Sequence, residues 1–179
     1  FSTVVLCGQA ILDAGSEEQK SAFLGRIAGG DLIMALALTE PSAQYQASGV
    51  TVRAELSGGG YVVQGTKMFV SDAQVADYFI VVTRTSESAN PQDGISLLLV
   101  DAHSPGITVT PLRVMGIDKQ AEVVFQGVQV PSDNLLGPAD GGWPLVEKLL
   151  VWGAVGKCAE AVGGAQVALD MAVDYAKTR

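Results

Sequence analysis

Residues 50–71 read Val50-Thr51-Val52-Arg53-Ala54-Glu55-Leu56-Ser57-Gly58-Gly59-Gly60-Tyr61-Val62-Val63-Gln64-Gly65-Thr66-Lys67-Met68-Phe69-Val70-Ser71. In the first part Val50, Val52, Ala54 and Leu56 alternate with Thr51, Arg53 and Glu55, the period of a half-exposed strand. Ser57-Gly58-Gly59-Gly60 supplies a hairpin turn. Tyr61 to Val70 is the returning strand, with a bulge expected at Gly65.

Working outward, Leu32 to Leu38 is a continuous apolar run and reads as a buried strand. Tyr78–Thr85, Ile95–Val100, Ile107–Leu112 and Glu122–Val130 read as further strands, and Ser86–Gly94 as a polar loop. Short strands joined by hairpins, with no helices between them, predict an antiparallel barrel or sandwich. Before this unit, residues 1–14 read as the tail of an apolar helix broken at Gly15. Ser16 caps the next helix, Gln19 stands at the reciprocal capping-box position, and Gly29-Gly30 ends it. After Pro131–Gly142 the helical period runs from Trp143 to Thr178. Its interior glycines, Gly153, Gly156, Gly163 and Gly164, imply close helix contacts. The fold class is thus α+β: an antiparallel β-barrel or sandwich (32–137) flanked by N-terminal helices (1–31) and a long C-terminal helix (138–179).

Composition narrows the function classes. Hydrophobic residues make up 48 % and charged residues 17 %, which predicts that other polypeptide or other subunits cover part of the surface. The net charge is −8 and the 11 basic residues are scattered, which argues against nucleic acid as a partner. Cys7 and Cys158 lack CxxC spacing and read as buried free thiols of an intracellular, cytoplasmic protein. The start has neither Met nor a basic stretch, so it is not a signal peptide. Residues 145–176 are apolar, but Glu147, Lys148, Lys157, Glu160, Asp170 and Asp174 interrupt them. They read as a bundle helix and not as a membrane span. The helical pattern is unfinished at Arg179, as in a portion of a longer protein.

Two strand borders carry the candidate chemistry: Ala37-Leu38-Thr39-Glu40-Pro41 and Lys67-Met68-Phe69-Val70-Ser71. Each places a hydroxyl just past a strand end, where side chain and backbone N–H can meet a flat polar ring. The competing reading is that Thr39 and Ser71 satisfy loop backbone groups. Glu40, before Pro41, reads as fixing its loop. His103 lies in a turn without a metal cluster or nucleophile, so no metal site and no catalytic residue is assigned.

Five segments resemble, in order, the middle portion of acyl-CoA dehydrogenases, flavin enzymes that desaturate acyl thioesters. They are Gly15-Ser16-Glu17-Glu18-Gln19-Lys20, Leu38-Thr39-Glu40-Pro41, Gly65-Thr66-Lys67-Met68-Phe69-Val70-Ser71 with Ala76-Asp77, Phe125–Pro131 with Asn134–Gly137, and Ala159–Gly164 with Tyr175–Arg179. The resemblance implies FAD, an acyl-CoA substrate, assembly as a dimer or tetramer, and an electron-transferring flavoprotein as electron acceptor. It implies that Leu38 and Thr39 meet the pyrimidine side of the isoalloxazine and that Phe69, Val70 and Ser71 contact the ring, with the hydroxyl near N5. Donors there stabilise charge that develops on reduction. Arg179 matches an arginine that reaches the FAD pyrophosphate of a neighbouring subunit. The family's catalytic carboxylate lies later in the C-terminal domain and has no match here.

The chain also departs from the family. Phe69 stands where most members carry Trp. Gln44-Tyr45-Gln46 stands where the family continues Gly, Ser or Thr, Asp. Tyr45 would narrow the acyl pocket, implying altered substrate choice or a subunit with weak or no chemistry. Met115–Glu122 lacks the usual Arg and hydroxyl residues. Alternatives to the dehydrogenase are a non-catalytic scaffold subunit of the same family, or an acyl-CoA oxidase or flavin monooxygenase on the same fold.

Overall fold

The computed structural model describes residues 1–116 and 118–179. A wide, π-helical stretch, Ser2–Gly8, runs into α1 (Gln9–Ala14), and α2 spans Glu17–Gly29. The strands are β1 (Met34–Ala37), β2 (Arg53–Ser57), β3 (Gly60–Ser71), β4 (Tyr78–Arg84), β5 (Ile95–Asp101), β6 (Ile107–Pro111), β7 (Gln120–Pro131) and β8 (Leu135–Leu136). The last helix, α3, is Trp143–Thr178.

Local chemistry explains the helix borders. Ser16 Oγ accepts from the Gln19 amide at 3.2 Å, and Gln19 Oε1 accepts from the Ser16 amide at 3.1 Å, the reciprocal cap expected from sequence. Gly30 ends α2 in the left-handed region at φ 80°, and its amide reaches back to the last turn. Gln19 also donates from Nε2 to the Asp133 and Leu135 carbonyls at 2.8 and 2.9 Å, which ties α2 to the end of the β unit.

The strands form one sheet in the order β6-β7-β3-β2-β4-β5-β8, with β1 paired to β4. Most pairings are antiparallel, as expected. The β1–β4 pairing is parallel, and so is the single pair Arg53–Arg84 between β2 and β4. The sheet doubles over on itself. Phe79 of β4 and Phe125 of β7, three strands apart in the order, meet edge-on with ring centroids 6.3 Å apart. Around them lie Val63, Val81, Leu98, Val100 and Val123 in the enclosed core. A second core lies on the other face, where Met34, Ile80, Val82, Leu97 and Leu99 pack against Cys7, Ile11, Ile27, Trp143, Val146 and Leu149. Strands β1, β4 and β5 thus bury both faces, which is why their sequences are continuous apolar runs. Strands β2 and β3 bury one face and alternate.

Several boundaries differ from the sequence reading. The run from Leu32 is strand only at Met34–Ala37, because Ile33 takes a side-chain partner: its amide donates to Asp77 Oδ2 at 2.8 Å. Residues 50–52 are not paired as strand; instead the Thr51 and Val52 amides donate to Glu40. The expected irregularity of β3 falls on two register shifts against β7, one at Val63/Gln64 beside Gly65 and one at Lys67/Val70. Gly65 has φ 137°, and a Cβ there would stand 2.8 Å from Val52 Cγ2, so the strand needs glycine at this point.

Helix α3 has 36 residues, about 54 Å of helical rise. Only Trp143, Val146 and Leu149 are buried. Gly156 passes so close to Phe1 that a Cβ would meet its ring, whereas Gly163 and Gly164 face open space. Among the described residues, close contact accounts for Gly156, and a Cβ on Gly153 would stand 3.8 Å from Leu6. The helix runs clear of the body beyond this point, leaving Val162, Met171 and Tyr175 exposed. That corrects the expectation for Cys158: it is exposed, and only Cys7 is buried. Burial pushes the Cys7 thiol up to about 12, so it stays protonated and inert. No helix among the described residues is long and apolar enough to cross a membrane.

Candidate functional site

A cleft of about 480 Å³ opens between the end of β1, the end of β3, the N-terminal residues and α3. Leu38, Thr39, Tyr45, Phe69 and Ser71 all line it. Leu36, Leu6, Leu149 and Leu150 add an apolar wall, and Asp72, Asp118, Lys119 and Lys157 add charge of both signs. The two hydroxyl-bearing strand ends, 32 positions apart in sequence by their numbering, therefore face one space. Both residues are half-buried, and among the described residues neither hydroxyl is taken up by a protein partner. Among the described residues, then, neither side chain satisfies a loop backbone group.

The backbone around them explains the presentation. Between Lys67 and Val70 strand β3 slips its register on β7. Phe69 sits in that slip with φ 56°, a conformation that costs an L-residue about 1–2 kcal/mol. The slip turns Phe69 outward, 46 % exposed, onto the cleft, and turns Val70 inward, 1 % exposed, into the enclosed core. The Val70 side chain does not line the cleft, so a contact from Val70 would have to come from its backbone. In the slip the Met68 amide donates to the Thr39 carbonyl at 2.8 Å.

Beneath the two segments lies a buried ion pair. Lys67 Nζ is 2.7 Å from Glu40 Oε1, with side chains 0 % and 2 % exposed. Lys67 Nζ also donates to the Leu38 carbonyl at 3.1 Å. The Glu40 carboxylate accepts from the Thr51 amide at 2.9 and 3.0 Å, from the Val52 amide at 3.1 Å and from the Thr51 hydroxyl. Burial alone would raise the Glu40 carboxyl, but the Lys67 charge and these donors together hold it below its ordinary value. Burial lowers Lys67 to about 8 against the pull of Glu40. The sequence reading assigned Glu40 a role in its loop and missed Lys67. The available signal was position: Lys67 shares the inward side of β3 with Tyr61 and Val63.

Tyr45 lines both this cleft and a second one of about 420 Å³, bounded by residues 45–48, 90–92, Trp143, Glu147 and Leu150. Arg84 braces both loops of that second cleft. Its guanidinium donates to the carbonyls of Ala47 at 2.8 Å, Val50 at 3.0 Å, and Pro91 and Asp93 at 3.1 Å. Arg179, by contrast, lies at the exposed end of α3 with its guanidinium over the Tyr175 ring at 5.4 Å. It does not line the cleft. In the divergent stretch Met115–Glu122, Ile117 lies outside the described residues, while Asp118, Lys119 and Gln120 border the cleft. Among the described residues no group of His, Cys, Asp or Glu could hold a metal ion.

The cleft suits a flat, mostly apolar ring with a polar edge. Leucine and phenylalanine side chains form its walls, and unengaged hydroxyls stand at its rim.

Comparison with known proteins points in the same direction. The family description "Acyl-CoA dehydrogenase, middle domain" matches residues 35–128. The short-chain-specific acyl-CoA dehydrogenase of Megasphaera elsdenii is 36 % identical over 182 residues, covering 99 % of this chain and 47 % of that protein. The structure of butyryl-CoA dehydrogenase from Megasphaera elsdenii superposes with a TM-score of 0.94 at 35 % identity, over 99 % of this chain and 47 % of that one. A chain from a structural study of the electron transferring flavoprotein of Acidaminococcus fermentans superposes with a TM-score of 0.93 at 35 % identity, over 99 % and 47 %. The chain spans about half the length of the curated relatives it matches. With the middle-domain match falling on the strands that build the cleft, this chain belongs to the acyl-CoA dehydrogenase family.

Proposed function

We propose that this chain forms the flavin-holding part of an FAD-dependent acyl-CoA dehydrogenase. The observation that carries the reading is the meeting of Leu38, Thr39, Phe69 and Ser71 on one cleft. When bound, FAD supplies the hydride acceptor for α,β-dehydrogenation of an acyl-CoA thioester. Thr39 donates from its hydroxyl and backbone to the polar edge of the ring, and Ser71 orients the edge nearest the substrate. Leu38 and Phe69 cover the ring and exclude water. The backbone of Val70 lies against the ring while its side chain anchors the enclosed core. Arg179, at the end of α3, reaches the FAD pyrophosphate across a subunit boundary in a dimer or tetramer. No residue of this chain is assigned as the proton-abstracting carboxylate. An electron-transferring flavoprotein takes the electrons, and the setting is cytoplasmic.

The test uses the protein at its full length. Purified protein should be yellow, and an acyl-CoA should bleach the flavin band under anaerobic conditions. Yellow protein that no acyl-CoA bleaches would favour the non-catalytic scaffold. Peroxide formed in air at the rate of turnover would favour the oxidase.

Tyr45 is assigned to the substrate side. Its ring forms a common wall of both clefts, where a small hydroxyl residue is usual in the family. Tyr45→Ser should therefore raise kcat/KM for longer or branched acyl-CoAs relative to short ones by about 10–200-fold, the range available to pocket size. Ratios of kcat/KM across a chain-length series check this. An unchanged ratio would remove Tyr45 from the pocket.

A further inference from the structure

The buried Lys67–Glu40 pair is not explained by stability. Two charges at 0 % and 2 % exposure give up their hydration, and well-packed apolar residues of similar volume are often at least as stabilising. What an apolar pair would not reproduce is direction. Three successive residues are tied to two others: the Leu38 carbonyl to Lys67 Nζ at 3.1 Å, the Thr39 carbonyl to the Met68 amide at 2.8 Å, and the Glu40 carboxylate to Lys67 Nζ at 2.7 Å. These ties sit where β3 has slipped out of register with β7. The segment that presents Phe69 thus lacks its regular sheet partner and is held by the loop that presents Thr39. On its far side Glu40 is fixed by the Thr51 and Val52 amides, which anchors the pair to the entry of β2.

We infer that Lys67 and Glu40 are positioning residues: they lock the Thr39 and Phe69 segments together and so preset the cleft before any ring enters it. The inference rests on the flavin reading of the cleft. Neither side chain lines the cleft itself, so their effect passes through Thr39 and Phe69.

The double variant Lys67→Met/Glu40→Gln tests it, made in the full-length protein. Both charges go, the volumes stay close, and the introduced amide side chain keeps an acceptor for the Thr51 and Val52 amides. The apoprotein should melt within about 5 °C of the parent. Its dissociation constant for FAD should rise at least tenfold, with a shifted visible band. A folded double variant that binds FAD within twofold of the parent, with an unchanged spectrum, overturns the inference. A parent protein that binds no FAD overturns the reading of the cleft and the inference with it. Should the double variant fail to fold, amide hydrogen exchange on the parent decides. The Met68 amide should be equally protected with and without FAD; protection that appears only on FAD binding defeats a preset cleft.

Discussion

Lys67→Met as a single substitution should lower folding stability by about 3–5 kcal/mol, the loss seen when one partner of a buried pair is removed. At neutral pH Lys67, lowered to about 8, still carries its proton, and the Glu40 carboxylate beside it is ionised. Methionine leaves that carboxylate 2 % exposed with no countercharge. The Thr51 and Val52 donors remain, but they do not neutralise it. Urea unfolding at pH 7 checks the value, and a loss below about 1 kcal/mol would mean those donors suffice. The pH dependence supplies an independent sign. In the parent the Glu40 carboxyl is lowered on folding, so its contribution is present above its ordinary value of 4.5 and is lost as pH falls through the lowered one. In the variant burial, the largest influence on the carboxyl, is opposed only by the Thr51 and Val52 donors and should move it upward, so that stability is present below 4.5 and lost as pH rises. The gap between parent and variant should therefore be wide at pH 7 and shrink as the pH drops below 4.5.

What the sequence revealed, and what it withheld, follows the range of the interactions. The Ser16–Gln19 cap and the Trp143–Thr178 helix depend on neighbours within a few positions, and both stand where the pattern put them. The hairpin from Arg53 to Ser71 depends on one turn and was equally legible. The parallel seat of β1 on β4 pairs Met34 with Tyr78, a choice of partner that periodicity does not encode. The burial of Lys67 depends on Glu40, 27 positions away. The opposite fates of Phe69 and Val70 depend on a register slip, since a slip of one residue exchanges the faces of a strand. Cys158 shows the same limit on a helix: an apolar stretch announces burial, but only a partner makes it so, and among the described residues none buries Cys158. For the cleft, the meeting of Leu38, Thr39, Phe69 and Ser71 came from motif order, while the ion pair that joins their segments came only from three dimensions.

Phe69→Gly should separate binding from stability. The residue holds φ 56°, which glycine adopts freely, and its ring is 46 % exposed, so little core is lost with it. Relief of about 1–2 kcal/mol of backbone strain is offset by the greater freedom of glycine in the unfolded chain. The melting temperature should stay within about 4 °C of the parent, equivalent to roughly 1–2 kcal/mol in a chain of this size. Flavin binding should fall much further. Stacking of a flat heteroaromatic ring on an aromatic side chain is worth about 1–3 kcal/mol, or roughly 5–150-fold in affinity. Titration of the apoprotein with FAD measures the loss, and Phe69→Trp, which keeps an aromatic face at the same φ, should retain the affinity. Strain at functional positions persists when surrounding structure enforces it, and here the enforcement is visible in the register slip and the Met68–Thr39 bond. If Phe69→Gly bound FAD as tightly as the parent, the strained backbone would serve the sheet alone, and the ring would have no part in holding the cofactor.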